Sequence, residues 1–132
     1  MTPFWFRRRP PTLQQARGRA AEQMAAAFLR REGYEIEAVN FRCKAGELDL
    51  VARDGSTLCF IEVRSRASRE FGSALESITP MKRRRFILAG RWYLARRRPP
   101  WLQPMRFDVV AIQSRPDTPP SLTLLRGAFT AD

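Results

Sequence analysis

Two acids set into apolar strand sequence constrain this chain more than any other feature. Residues 46–64, Gly-Glu-Leu-Asp-Leu-Val-Ala-Arg-Asp-Gly-Ser-Thr-Leu-Cys-Phe-Ile-Glu-Val-Arg, predict two strands around a tight turn. Asp54-Gly55 supplies the turn, since both residues accept the positive φ that a short hairpin needs. Side chains alternate faces along a strand. Glu47, Asp49 and Val51 therefore share one face of the first strand. On the second, Leu58, Phe60, Glu62 and Arg64 share a face, with Cys59, Ile61 and Val63 on the other. With Asp54-Gly55 as a two-residue loop, Glu62 lies opposite Glu47 and diagonal to Asp49. With a loop two residues longer, Glu62 lies opposite Asp49. In both registers carboxylates project together, from strands whose Leu48, Leu50, Phe60 and Ile61 imply cover on both faces. Like charges so placed repel, and either pairing with arginines or a hard divalent cation such as Mg²⁺ compensates them.

The charge balance narrows the partners. The chain has 132 residues, enough for one domain, and carries 24 Lys+Arg against 13 Asp+Glu, a formal net charge of +11. Such an excess points to an anionic partner, above all nucleic acid. There is no histidine, which excludes histidine general bases, histidine-activated nucleophiles and histidine metal sites. Cys43 and Cys59 have no metal-ligand spacing; Cys59 reads as a small core residue and Cys43 as a loop thiol. Nothing suggests a secreted disulfide scaffold, a signal peptide or a bilayer-spanning segment, so a cytoplasmic location is expected.

In chain order, residues 1–11 read as a flexible arm carrying Phe4, Trp5, Phe6 and Arg7-Arg8-Arg9. A single domain is expected over 12–126, with a tail over 127–132. Thr12 caps a helix to about Glu32, stopped by Gly33, with an apolar stripe of Ala21, Met24, Ala25, Phe28 and Leu29. Glu22 lies beside that stripe, and spacing favours its pairing with Arg19 on the helix surface. Residues 34–39 predict an edge strand, and Asn40 to Gly46 a basic loop. After the hairpin come a basic stretch over 65–69, a turn at 71–73 and a short helical turn over 74–78. Thr79-Pro80 starts a second helix, running to about Arg98 and burying Phe86, Ile87, Gly90, Tyr93 and Leu94. Its exposed side carries Lys82, Arg83, Arg84, Arg85 and Arg91 with no acid, which suits a surface that follows a phosphate backbone. A central strand follows over 105–112, then a Pro-rich turn over 114–120 and a last strand over 121–126. The order is helix, three strands, helix, two strands: an α/β fold with a mixed sheet flanked by helices.

Several blocks carry a family resemblance. Gly18-Arg19-Ala20-Ala21-Glu22, Asn40-Phe41-Arg42, Gly46-Glu47-Leu48-Asp49-Leu50, Phe60-Ile61-Glu62-Val63-Arg64, Lys82 and Arg106-Phe107-Asp108-Val109-Val110 resemble the YraN-like uncharacterised protein family of bacteria, over roughly residues 15–112. That resemblance implies the restriction endonuclease-like (PD-(D/E)xK) fold, similar to archaeal Holliday junction resolvases. It implies a site in which Asp49, Glu62 and the backbone carbonyl of Val63 hold Mg²⁺ or Mn²⁺, with Glu22 joining from the first helix. Arg64 stands where that pattern has lysine. Arginine stays protonated and cannot be a general base, but it can hold a phosphate. Lys82 or Lys44 would then replace the lysine, or the metal alone would activate water.

The leading expectation is a metal-dependent endonuclease acting on DNA, branched or structured, with Arg42, Lys44, Arg66, Lys82, Arg83, Arg84 and Arg85 on the phosphates. The alternative is a nucleic-acid-binding module, for DNA or structured RNA, without catalysis. A third is a ribosome-associated interaction factor. A homodimer would match the resolvase relatives, and no membrane partner is expected.

Overall fold

A computed structural model describes residues 12–66, 76–96 and 104–130. The expected arm at 1–11, the turn at 71–73, the start of the helical turn at 74–75 and Arg97-Arg98 lie outside the described residues. The elements are α1 (Leu13–Arg31), β1 (Glu35–Cys43), β2 (Gly46–Asp54), β3 (Thr57–Arg66), α2 (Pro80–Ala95), β4 (Met105–Arg115) and β5 (Thr118–Phe129). The strands form one mixed sheet in the order β1-β2-β3-β4-β5. Only the β3–β4 pair is parallel among these neighbours, and the stretch containing α2 makes the crossover that a parallel pair requires.

Both helices begin where side-chain chemistry starts them. The Thr12 hydroxyl accepts from the Gln15 N–H, and Gln15 reciprocates to the Thr12 N–H, a complete capping box. Thr79 accepts from the Lys82 N–H, and Pro80 occupies the first helical position. The helices cover opposite faces of the sheet. Ala25, Ala26 and Leu29 of α1 pack on Leu50, Ala52, Cys59, Ile61, Val110 and Ile112. Phe86, Ile87 and Ala89 of α2 pack on Leu48, Val51, Leu58, Phe60, Phe107 and Val109. Gly90 lets α2 lie against the rings, since a Cβ there would stand 3.1 Å from Phe60 and 3.3 Å from Phe107. No helix among the described residues is long and apolar enough to cross a membrane.

Four boundaries differ from the sequence expectations. β1 does not stop at residue 39 but runs to Cys43, because Phe41 enters the core opposite Leu48 and meets Tyr93 edge-on at 5.1 Å. Asn40 takes a left-handed φ of 54° within it, a conformation asparagine tolerates, and Cys43 is a strand residue packed at the core's edge rather than a loop thiol. The hairpin loop is Gly55-Ser56, since Asp54 pairs with Thr57. The expected turn over 114–120 is mostly strand: Arg115 pairs with Thr118, and Pro119-Pro120 are tolerated because β5 is an edge. Finally, residues 127–129 are not a tail. Gly127, at φ 61°, sits in a bulge that turns β5 back onto the core, where Phe129 stacks on Phe107 at 5.3 Å. A glycine that looks like a stop in sequence is here the residue that re-aims the strand.

Candidate active site

The one-residue displacement of the hairpin loop decides which carboxylates meet. The β2–β3 ladder runs from Asp54–Thr57 to Leu50–Ile61, so its next step sets Asp49 across from Glu62. There the ladder ends. Strict alternation also breaks, because Leu48 packs under α2 whereas Leu50 packs under α1. Into this parting of the strands Asp49 turns its carboxylate, whose Oδ2 accepts the Val63 N–H at 2.8 Å. In an extended strand a residue's N–H and C=O project to the same side, so the Val63 carbonyl faces the Asp49 side as well. Glu62 contacts Asp49 and also pairs with Arg64, at 3.0 Å between Oε1 and Nη2.

Both acids are held above their ordinary range. Burial is the largest cause for Glu62, followed by the charge of Asp49; Arg64 and Lys82 oppose these, and the group is pushed up to about 8. Burial likewise raises Asp49, against the Val63 N–H and its hydrogen bond with Glu62, and the charge of Glu47 adds to the rise. Such a pair titrates as a unit and favours one shared proton over two negative charges.

Glu22 reaches the same place from α1. Its oxygen, with one each from Glu47 and Asp49, forms a set lying within 4.8 Å of one another. Burial and then Asp49 raise its pKa, while a hydrogen bond from the left-handed Asn40 opposes the rise. Glu22 thus turns toward the strands, not along the helix surface to Arg19 as spacing favours. Glu47 was not among the expected site residues. The signal was present, since Glu47 sits two residues before Asp49 on the same strand. Asp49 is the hub, belonging both to the set with Glu22 and Glu47 and to the contact with Glu62.

The cations divide by position. On the α2 side, Lys82 and Arg85 line a cavity together with Glu47, Asp49, Glu62 and Arg64. On the α1 side, Arg17, Arg64 and Arg66 line a recess that shares Asp49 and Glu62 and adds Glu22. Arg17 was missed in the sequence, where one arginine on a helix carries no mark. Arg42 borders a neighbouring recess with Arg19, Glu22 and Glu47, and its guanidinium lies 3.5 Å from Glu47. Arg83 and Arg84 face elsewhere, toward β5; the Arg83 guanidinium lies 5.9 Å over the Phe129 ring. Lys44 is exposed at the β1–β2 turn and lines none of these recesses. The lysine that reaches the carboxylates is therefore Lys82. The Nε atoms of Arg64 and Arg66 are buried and find no hydrogen-bond partner among the described residues.

Close backbone approach fixes the wall of the α2-side cavity. A Cβ on Gly46 would lie 3.2 Å from the carbonyl oxygen of Arg85, so the start of β2 meets α2 only because the residue is glycine.

A profile of the family described as Uncharacterised protein family UPF0102 matches residues 21–112, a span that holds Glu22, Asp49, Glu62 and Lys82. The chain belongs to UPF0102. A UPF0102 protein of Cupriavidus taiwanensis is 53% identical over 122 residues, covering 90% of this chain and 86% of its own length. One from Pseudomonas aeruginosa is 46% identical over 116 residues, covering 87% and 93%. One from Hahella chejuensis is 54% identical over 93 residues, covering 70% and 74%. UPF0102 is thus the YraN-like family that the sequence blocks resemble, and the family name assigns no chemistry.

Proposed function

We propose that this UPF0102 protein is a metal-dependent endonuclease of restriction endonuclease-like architecture, hydrolysing phosphodiester bonds in DNA. The observation that carries the proposal is the parting of β2 and β3, where half-buried Asp49 and Glu62 touch and perturb one another beneath cationic α2. A perturbed acid pair in a cleft is a mark of a working site. The element order supports the architecture: a helix, three antiparallel strands, a crossover helix, a parallel strand and an edge strand.

The donor set fits a hard divalent cation. Asp49 and Glu62 offer oxygens, Glu22 and Glu47 add more, and the excess negative charge is of the kind such an ion relieves. When bound, the ion lowers the pKa of a coordinated water and neutralises charge on a phosphate oxygen. This chain's own residues supply the rest. The Val63 N–H orients Asp49. Lys82 and Arg85 hold the DNA phosphate at the cavity mouth. Arg64, whose guanidinium donates and does not accept, stabilises developing charge rather than removing a proton.

The test is cleavage of linear, flapped and four-way DNA with Mg²⁺ or Mn²⁺. Asp49→Ala should abolish it, a loss of roughly 10³-fold or more, while the protein stays folded. No cleavage of any of these substrates by the wild type with either metal would defeat the proposal.

One observation favours a second reading, a nucleic-acid-binding module without catalysis. Arg64 stands at the expected lysine position and closes on Glu62 at 3.0 Å, so the site carries its own counter-ion. In that case binding persists in EDTA, survives Glu62→Gln and falls steeply with salt.

A further inference from the structure

The outer face of α2 sets three large apolar side chains among its cations, where a solvent-facing helix should be polar throughout. Met81, Leu88 and Trp92 are 62%, 44% and 41% exposed. With Arg85 they follow one another at steps of four, three and four residues, which aligns them along a single ridge. Arg84 and Arg91, seven residues apart, border the ridge along the side that faces β5, and α2 contains no acid. The inner face is separately occupied, with Phe86, Ile87, Ala89 and Gly90 buried against the sheet. Arg85 belongs to both features, since it lies on the ridge and lines the carboxylate cavity. Trp92 lies about 10 Å farther along the axis, at 1.5 Å per residue.

We propose that this ridge binds single-stranded nucleic acid, stacking unpaired bases on Trp92 and Leu88 while Arg84 and Arg91 take the phosphates. An aromatic platform bordered by cations suits such a strand, because every base has a face to stack and every linkage a charge to pair. Charge selects this occupant over a second copy of the chain. Two such helices face to face would set arginine against arginine with no acid to relieve them. Continuity selects it over an anionic membrane surface, because the ridge leads to the cavity at Arg85. The proposal rests on the nuclease reading only for its substrate class: the strand held here is the unpaired arm of a branched DNA whose junction lies at the carboxylates.

The binding test is run on the full chain in EDTA, so that it is independent of cleavage. Fluorescence anisotropy compares labelled oligo(dT) with a duplex of equal length. Trp92→Ala should weaken single-strand binding about tenfold and leave duplex binding within about twofold, and Trp92→Phe should restore most of the loss. A second measurement does not depend on that variant. Trp5→Phe with Trp101→Phe leaves Trp92 as the one tryptophan of the three, and oligo(dT) should quench its emission where duplex does not. Equal losses on both ligands, an unquenched Trp92, capture by anionic vesicles with no effect on oligo(dT), or a dimer that Trp92→Ala dissolves would each overturn the proposal. A chain that binds oligo(dT) in this way yet cuts nothing would sink the nuclease and leave the platform standing.

Discussion

Two sets of acids lie in this sheet, and their surroundings are opposite. Toward the hairpin turn, the buried Asp108 carboxylate accepts four hydrogen bonds: from the Tyr34 hydroxyl at 3.0 Å, from Arg106 at 2.8 and 3.1 Å, and from the Gly127 N–H at 2.9 Å. Arg106 also reaches Asp54 at 2.8 Å and the Tyr34 oxygen at 2.7 Å. Burial and the neighbouring Asp108 push the Tyr34 hydroxyl up to about 12, which keeps it a donor at physiological pH. Where β2 and β3 part, by contrast, Asp49 and Glu62 face each other with Glu47 and Glu22 close by. The first set is an architectural network with every lone pair of its central acid engaged. The second crowds its acids together beside an open cavity, with Arg64 on Glu62 and Arg42 on Glu47 as counter-ions. A buried acid alone therefore says little about chemistry in this protein; the number and sign of its partners say more.

Mutation should separate the two sets. Asp108→Ala strands Arg106 and Tyr34 and should cost about 3–5 kcal/mol of stability, read as a large drop in the unfolding midpoint. A variant as stable as the wild type would erase the distinction. A pH titration of stability sharpens it further. The folded-state pKa of Glu62 is raised, from an ordinary value of 4.5 to about 8, so the folded chain binds more protons than the unfolded one between those values. Stability of the metal-free protein should then fall as pH rises from about 4.5 to 8, and Glu62→Gln should flatten that slope. Mn²⁺ should act with the reverse sign, stabilising more as pH rises, because it competes with the shared proton. The smallest effect belongs to the exposed Arg42–Glu47 pair, where Arg42→Ala should change stability by less than about 1 kcal/mol. A larger change would place Arg42 in the architecture of the site.

The difference between the two sets also tracks what the sequence disclosed. Local chemistry was legible: Thr12 and Thr79-Pro80 start the helices as expected, and period-two alternation identified the strands that carry Asp49 and Glu62. The role of Asp108 was not, because its partners Tyr34 and Gly127 are distant in sequence and joined only by the fold. The tail expected over 127–132 was placed too early for a related reason. A glycine near the end of a strand gives the same local signal whether the chain stops or bulges, and the packing of Phe129 on Phe107 decides the matter. The convergence of Glu22 with the strand acids lay between these cases. Its helix position was plain, but its direction depended on how α1 crosses the sheet.

Gly46 bears on what kind of ligand the cavity admits. Because its α-carbon abuts the Arg85 carbonyl, the gap between the acidic strand and the cationic helix is spanned by main-chain atoms rather than by long side chains that swing. Such an opening acts as a fixed gauge. Alanine at this position would press on the Arg85 carbonyl and shift the two walls by a few tenths of an ångström, leaving every acid and base in place.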